Sequence, residues 1–355
     1  MPRLTVLMPT YNVAPWVEEA IHSVLRQSYR DFELLVVDDA STDNTLDVVR
    51  TIDDPRIRIA SFPNNVGLAD NLNRGLDIIN TELVARMDGD DIAEPDWLET
   101  GIRVLDSHPE VGVCSFGFQF FGAKTSIVRF PEHHEDSKAQ MLFGCTVIVP
   151  VFRRAVMVDN HLRYSTEAFP AEDYMMWANV YRVTQVYNVQ RTLFHYRTHA
   201  TQISTSRREA QIVKSNEVRL KMLQWLNPDF TDEEKQYFLN VFVPCKIDSG
   251  KDIANLKAFA QLLIDRNTPG NYSDDALRRK FKSHIAYGAL DYVEHRYFPS
   301  QYTPLALIRL LASGLYPTLP KKNRRKLIAK CLLLKKKSVP NQNKNFQSSI
   351  AKTVI

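Results

Sequence analysis

The sequence predicts an α/β fold: a mixed, mainly parallel sheet flanked by helices, followed by a helical C-terminal region. Three observations carry that expectation. Short apolar runs alternate with apolar stripes at helical spacing over the first ninety residues, as in strands joined by helical crossovers. Each run stops at polar or acidic residues, which puts Tyr11, Asp38-Asp39 and Asp88 at strand ends, where open sheets bind ligands. Beyond about Ile212 only helical stripes remain. A chain of 355 residues suggests about two domains. The pattern divides into an α/β segment 1–210, a helical region 211–300 and a basic amphipathic tail 301–355.

Leu4–Met8 reads as the first strand, closed by Pro9-Thr10-Tyr11-Asn12, and Val17, Ala20, Ile21, Val24 and Leu25 form the first helical stripe. Phe32–Val37 is the second strand. Asp39 or Ser41 is offered as an N-cap, and Thr45–Ile52 is a short helix. Ile57–Phe62 is a third strand, Leu68, Leu72, Leu76 and Ile79 a third stripe, and Leu83–Met87 a fourth strand. Helix Pro95–His108 and strand Val111–Phe121 continue the alternation. Residues 145–200 look mixed, with a helix from about Ala171 to Val183. Helices Val213–Leu226, Asp232–Val243, Ile253–Arg266 and Asp274–Val293 follow, with Thr231 and Glu234 as a capping box.

Composition excludes several classes. With 44% hydrophobic and 24% charged residues, the chain is neither disordered, collagen-like nor a disulfide scaffold. Cys114, Cys145, Cys245 and Cys331 make no C-x-x-C pair, so a structural zinc is not expected and reduced thiols are. The N-terminal apolar run is too short for a signal peptide, and no run reaches a membrane span. The net charge of +4 is unevenly spread. Residues 295–355 hold 13 Lys and Arg and no acid; removing those 13 from the net charge leaves residues 1–294 at −9.

No glycine occurs before Gly67 and no P-loop appears, so no glycine nest holds a phosphate after the first strand. Asp88-Gly89-Asp90-Asp91 concentrates like charge at a strand end. A hard divalent cation, Mg²⁺ or Mn²⁺, relieves such repulsion; the plainer alternative is a polar turn whose aspartates cap the next helix. Ile92 and Ala93 break an EF-hand reading. Asp38-Asp39 reads either as a cap or as an acceptor for a base or ribose, with Tyr11 as an aromatic face for a flat ring. Glu172-Asp173 reads either as first-turn acids favoured by the helix dipole or as a general base with its neighbour. Trp177, four residues on, shares a helix face with Asp173 and is a candidate sugar-stacking ring. His195-Tyr196-Arg197-Thr198-His199, with Gln202 and Ser204, reads as a loop-like stretch suited to a diphosphate and its metal.

Taken together, Met8–Asn12, Val37–Asp43, Asn65–Leu68, Asn73–Leu76, Ala85–Asp91, Glu172–Tyr174 with Trp177, and Tyr196–His199 with Gln202 and Ser204 resemble, in order and spacing over about residues 1–205, the inverting family 2 glycosyltransferases of the GT-A fold. The resemblance implies a nucleotide-sugar donor, usually UDP-linked, and Mn²⁺ or Mg²⁺. It implies donor contacts from Pro9, Tyr11, Asn12, Asp39, Asn73, Asp88 and Arg197, with Tyr11 and Asp39 on the base and Asp88 on ribose or sugar. Asp90 is the implied metal ligand, with Asp88, Asp91 and His199 beside it. Asp173 is the implied catalytic base and Glu172 an acceptor or sugar contact. The relatives' His-Pro-Ser before Phe-Arg is absent; Val147–Val151 stands there instead, so acceptor contacts are not carried over. The implied acceptor is a glycan or lipid-linked glycan of a surface polysaccharide or lipopolysaccharide. A sugar-phosphate nucleotidylyltransferase and a non-catalytic nucleotide- or glycan-binding protein are the alternatives. The basic tail, with Leu327, Ile328, Cys331, Leu332 and Leu334 as an apolar stripe, is expected on an anionic membrane rather than nucleic acid. The expected location is cytoplasmic, on the inner face of the cell membrane.

Overall fold

The computed structural model describes residues 2–123, 125–200, 202–298 and 302–333. Elements run β1 (Leu4–Thr10), α1 (Val17–Leu25), β2 (Phe32–Asp38), α2 (Thr45–Thr51), β3 (Ile57–Ser61), α3 (Leu68–Ile78), β4 (Leu83–Arg86), β5 (Ile92–Ala93), α4 (Trp97–Ser107), β6 (Val111–Gly122), β7 (Ser126–Val128), α5 (His134–Gln140), β8 (Val151–Arg153), α6 (Arg154–Asp159), α7 (Glu172–Val180) and β9 (Gln185–Thr198). There follow α8 (Ile203–Ser206), α9 (Arg208–Leu226), α10 (Asp232–Tyr237), α11 (Gly250–Asp265), α12 (Asp274–Tyr292), α13 (Pro304–Ala312) and α14 (Lys321–Leu332).

Among the described residues the strands form one sheet in the order β3-β2-β1-β4-β8-β6-β9-β5, with β7 on β6. The three pairings among the first four strands are parallel, as the alternation predicts; β8, β7 and β5 join antiparallel. Every residue of β1 is buried, which is why it reads as a continuous apolar run rather than an alternating one. Its register sets Thr10 opposite Asp38. β4 ends earlier, at Leu7↔Arg86, yet Met87 N–H still donates to Leu7 O at 3.1 Å. The acidic segment after β4 therefore leaves the sheet beside the tip of β1.

Two expectations change here. The stretch from His195 is not a loop at its start: β9 runs through Thr198 and pairs with β6 along most of its length. The cause is the buried apolar pair Leu193 and Phe194, which extends the strand past the charged residues that suggested a loop. Nor do Asp39 and Ser41 cap α2, which begins after Asn44; Asp43 instead accepts Thr45 N–H at 3.0 Å.

The chain divides into two compact units, residues 1–141 with 145–218 and residues 142–144 with 219–355. The second is helical, and its core gathers Phe143, Phe238, Phe242 and Phe281. The Thr231–Glu234 capping box is present. α10 stops at Tyr237, short of the expected Val243, and a wider π turn over Phe238–Phe242 buries both phenylalanines. In the tail, Leu327 and Cys331 are buried against the protein's own residues, so the stripe expected to meet a membrane is not free to do so there. Leu334 lies outside the described residues. No described helix is long and apolar enough to cross a membrane.

Candidate active site

At the tip of β2, Asp38 is fully buried. It accepts Ser41 N–H at 2.9 Å, Ser41 Oγ–H at 2.6 Å and Thr10 Oγ1–H at 3.1 Å. These bonds consume its charge in shaping the turn. Asp39, also buried, faces the other way: its two oxygens accept Val66 N–H at 2.9 Å and Gly67 N–H at 2.8 Å. Arg74 stands 3.7 Å from the same carboxylate and stacks on Phe62. Asp39 thus ties the β2 tip to the start of α3. Gly67, at φ +86°, takes the left-handed backbone there without a Cβ penalty. Asn12 and Ala40, at φ 54° and 60°, turn the chain off β1 and β2. The Asn12 side chain accepts Thr42 N–H and Asp43 N–H at 2.8 and 3.2 Å. Pro9 is buried in β1, and the Tyr11 ring is 47% exposed, free to meet a flat ligand.

The acidic loop is built against this tip. A Cβ on Gly89 would lie 3.0 Å from Thr10 Cγ2 and 3.3 Å from Val13 Cγ2, so glycine lets the loop approach β1. The three aspartates diverge, and none caps α4, whose N-cap residue is Asp96. Asp91 is buried and accepts Arg197 N–H at 2.8 Å. Burial, followed by the charges of Asp90 and Asp88, pushes its carboxyl well above the usual range. Asp90 Oδ2 is 3.0 Å from His199 Nε2. Asp88 accepts Arg86 Nη2–H at 3.0 Å; its carboxyl is raised by burial, against the opposing pull of Arg86.

Arg86 is the residue that joins the site. Its side chain is buried, and the guanidinium pairs with Asp88 on one side and Asp173 on the other. Burial alone would lower its pKa, but Asp173 and then Asp88 hold it well above the ordinary arginine value. Tyr164 lays its ring over the guanidinium, 5.7 Å from the centroid. Asn73 grips the Tyr164 backbone through both of its amide groups at 2.9 Å. What the structure places around Asn73 is therefore a brace for Tyr164. Glu172, adjacent to Asp173 at the start of α7, is buried, and its Oε2 has no partner. Burial first, then the Asp173 charge, pushes Glu172 up to about 8. Two neighbouring carboxyls thus differ: Asp173 faces a cation, while Glu172 keeps its proton at neutral pH.

Arg197 braces the loop from β9. Its Nε–H donates to Asp90 O at 2.7 Å and its Nη2–H to Glu19 Oε2 at 2.6 Å. His199 stacks on Trp16, with ring centroids 4.0 Å apart. Trp177 does not offer a sugar-stacking ring: it is buried against Phe152 and Tyr164. Sharing a helix face with Asp173 did not expose it, because α7 is covered on that side.

Among the described residues no three His, Cys, Asp or Glu side chains assemble a complete metal cage. Asp90 and His199 form a two-donor set of carboxylate and imidazole. Such a pair fits an ion whose remaining positions are filled by diphosphate oxygens and water.

Arg86, Tyr164, Trp16 and Glu19 were not singled out in the sequence. Arg86 carried a signal: a lone cation in the apolar run Leu83–Met87, next to acids, must be paired if buried. Val149 gave none, yet it sits at φ 49°, a strained conformation for a β-branched residue. It precedes Pro150, whose carbonyl accepts Arg86 N–H at 3.0 Å.

The profile of the family described as Glycosyl transferase family 2 matches residues 5–165. An uncharacterized glycosyltransferase of Haemophilus influenzae is 30% identical over 219 residues, 58% of this chain and 68% of that protein. A Bacillus subtilis protein, TuaG, whose name assigns it provisionally to teichuronic acid biosynthesis as a glycosyltransferase, is 28% identical over 159 residues, 42% of this chain and 62% of its own. Among solved structures, Staphylococcus aureus TarS 1-349 in complex with UDP-GlcNAc superposes with a TM-score of 0.56 at 16% identity, covering 91% of this chain and 92% of that one. At that identity the likeness speaks for the fold.

Proposed function

The chain belongs to glycosyltransferase family 2 and has the GT-A fold, and from that premise we propose that it transfers a sugar from a UDP-sugar to a hydroxyl of a glycan acceptor, with inversion, in the synthesis of a surface polysaccharide. The observation that carries this reading is the Arg86 bridge between Asp88 and Asp173. One cation fixes the distance between a carboxylate on the donor side and the carboxylate assigned as base. The exposed Tyr11 ring receives the base of the nucleotide, Asp39 shapes that end of the site by holding the Val66 and Gly67 backbone beside it, and Asp88 receives ribose or sugar. Relatives named for polysaccharide synthesis support the acceptor class.

The acceptor hydroxyl donates its proton to Asp173 as its oxygen attacks the anomeric carbon. The bond from that carbon to the UDP oxygen breaks on the opposite face, and its electron pair leaves on the diphosphate. Arg86 holds the Asp173 carboxylate oriented, leaving a third of the side chain exposed to meet the hydroxyl. Protonated Glu172 adds no second negative charge beside the base and can donate a hydrogen bond into the site. Asp90 and His199 would hold a divalent ion, Mn²⁺ or Mg²⁺, which when bound offsets the charge developing on the diphosphate. Arg197 keeps Asp90 in place through its backbone carbonyl.

The test is UDP release from a panel of UDP-sugars with a glycan acceptor, with and without Mn²⁺. Asp173→Asn is expected to keep donor binding and to lose about 10²–10⁴-fold in transfer rate, the usual contribution of a general base. Transfer at the wild-type rate by this variant rejects the assignment. Turnover of a sugar phosphate with a nucleoside triphosphate instead would favour the nucleotidylyltransferase alternative.

A further inference from the structure

We propose that the exposed apolar face of α13, acting with the exposed basic side chains of the adjacent α14, seats the protein on an anionic lipid bilayer. The sequence Pro304-Leu305-Ala306-Leu307-Ile308-Arg309-Leu310-Leu311-Ala312 is apolar almost all round. A helix of that kind is ordinarily buried on every side. Here Leu307 and Leu310 face inward, while Leu305, Ile308 and Leu311 are 59%, 61% and 48% exposed. Their i, i+3, i+6 spacing puts them on one face. Leu332 and Leu333, at the end of α14, are also exposed. Lys330 Nζ lies 3.1 Å from the Tyr302 hydroxyl, which brings that end of α14 beside the start of α13. Single exposed leucines are ordinary, but a contiguous set marks a contact surface.

Charge selects the occupant. Lys321, Lys322, Arg325 and Lys326 on α14 are exposed, as is Arg309 on α13. No acidic residue follows Glu294 in the sequence. A second copy of the chain would bring the same cluster of positive charge to the same face, which opposes pairing. A bilayer of anionic lipid supplies both an apolar interior for the leucines and negative headgroups for the basic side chains. The contact thus moves from Leu327 and Cys331, which the protein buries itself, to the helix before them.

The proposal is independent of the catalytic reading, and its test needs no turnover. Full-length protein is sedimented with vesicles of phosphatidylglycerol and phosphatidylcholine, and with phosphatidylcholine alone. Binding to the anionic vesicles only is expected, and it should be lost near about 1 M salt, where screening falls to about 3 Å. The combined Leu305→Ser, Ile308→Ser and Leu311→Ser variant should bind about tenfold or more weakly, as should Lys321→Gln, Lys322→Gln, Arg325→Gln and Lys326→Gln together. Undiminished binding by either variant overturns the proposal, as does equal binding to neutral vesicles. A wild-type dimer that the serine variant dissociates assigns the face to a second copy and overturns it too. Should the serine variant fail to fold, hydrogen exchange of 304–312 in the wild type decides: slowing on anionic vesicles supports the bilayer, and no slowing rejects it.

Discussion

Replacing Glu172 by Gln is expected to stabilise the protein, by an amount that grows with pH. Glu172 is buried and its carboxyl is raised from 4.5 to about 8. Below pH 4.5 it is protonated in both folded and unfolded chains and the two proteins differ little. Between 4.5 and about 8 the unfolded chain releases a proton that the folded chain retains. The wild type then loses about 1.4 kcal/mol per pH unit through this group. Over the whole interval that makes about 5 kcal/mol as an upper value, and a few kcal/mol once the fold relaxes around the charge. Gln preserves the shape of the protonated carboxyl and carries no charge, so it escapes the loss. The assay is urea denaturation of both proteins at pH 5, 6.5, 8 and 9.5, reading the midpoints. The gap should widen over the first two steps and level off above about 8. A gap that stays constant with pH, or one that narrows, refutes the claim that burial holds Glu172 neutral.

Three further outcomes follow from the same site. Arg86→Met should cost about 3 kcal/mol, the low end for breaking a buried pair because Asp88 and Asp173 remain a third exposed; a fall under about 1 kcal/mol in denaturant unfolding contradicts the bridge. The Arg86→Met and Asp173→Asn double mutant should be less destabilised than the two single losses added, with a coupling of at least about 0.5 kcal/mol, and strict additivity argues against a direct pair. Asp90→Ala and His199→Ala should each weaken Mn²⁺-dependent UDP binding by at least about tenfold in calorimetric titration, with metal-free binding unchanged; equal affinity with and without Mn²⁺ in the wild type removes the assigned ion.

Most of the sheet was legible in the sequence because it depends on local pattern. Leu4–Met8, Phe32–Val37 and Leu83–Met87 are apolar runs whose hydrophobicity alone demands burial on both faces. The stops at Asp38 and Asp88 then located the carboxyl edge. What escaped was anything fixed by contacts distant in sequence. Asp173 and Asp88 lie 85 residues apart, and only the folded chain shows that Arg86 spans them. Spacing marked Trp177 as a neighbour of Asp173, but could not show that Phe152 and Tyr164 bury it. β9 was obscured for a related reason: its charged residues point to partners in the segments flanking β5 and on α1, with His195 Nε2 held 2.6 Å from Glu94 Oε1 and Arg197 Nη2 2.6 Å from Glu19 Oε2. They read locally as loop composition.

Five carboxyl groups, Asp88, Asp90, Asp91, Glu172 and Asp173, crowd a site read as receiving a diphosphate, and several local devices share in answering them. Arg86 serves Asp88 and Asp173 at once. His199 meets Asp90, and the Arg197 backbone N–H meets Asp91. Burial raises Asp91 and Glu172 toward their neutral forms. The answers are unequal in cost to undo. Withdrawing Arg86 would strand charge within the protein, whereas opening the Asp90–His199 contact exposes two good ligands to a cation. The second is therefore the place where an incoming diphosphate can bring its counter-ion without dismantling the fold. The Arg86 bridge, by contrast, persists throughout the reaction proposed above, in which it keeps the carboxylate assigned as base beside the carboxylate assigned to the donor.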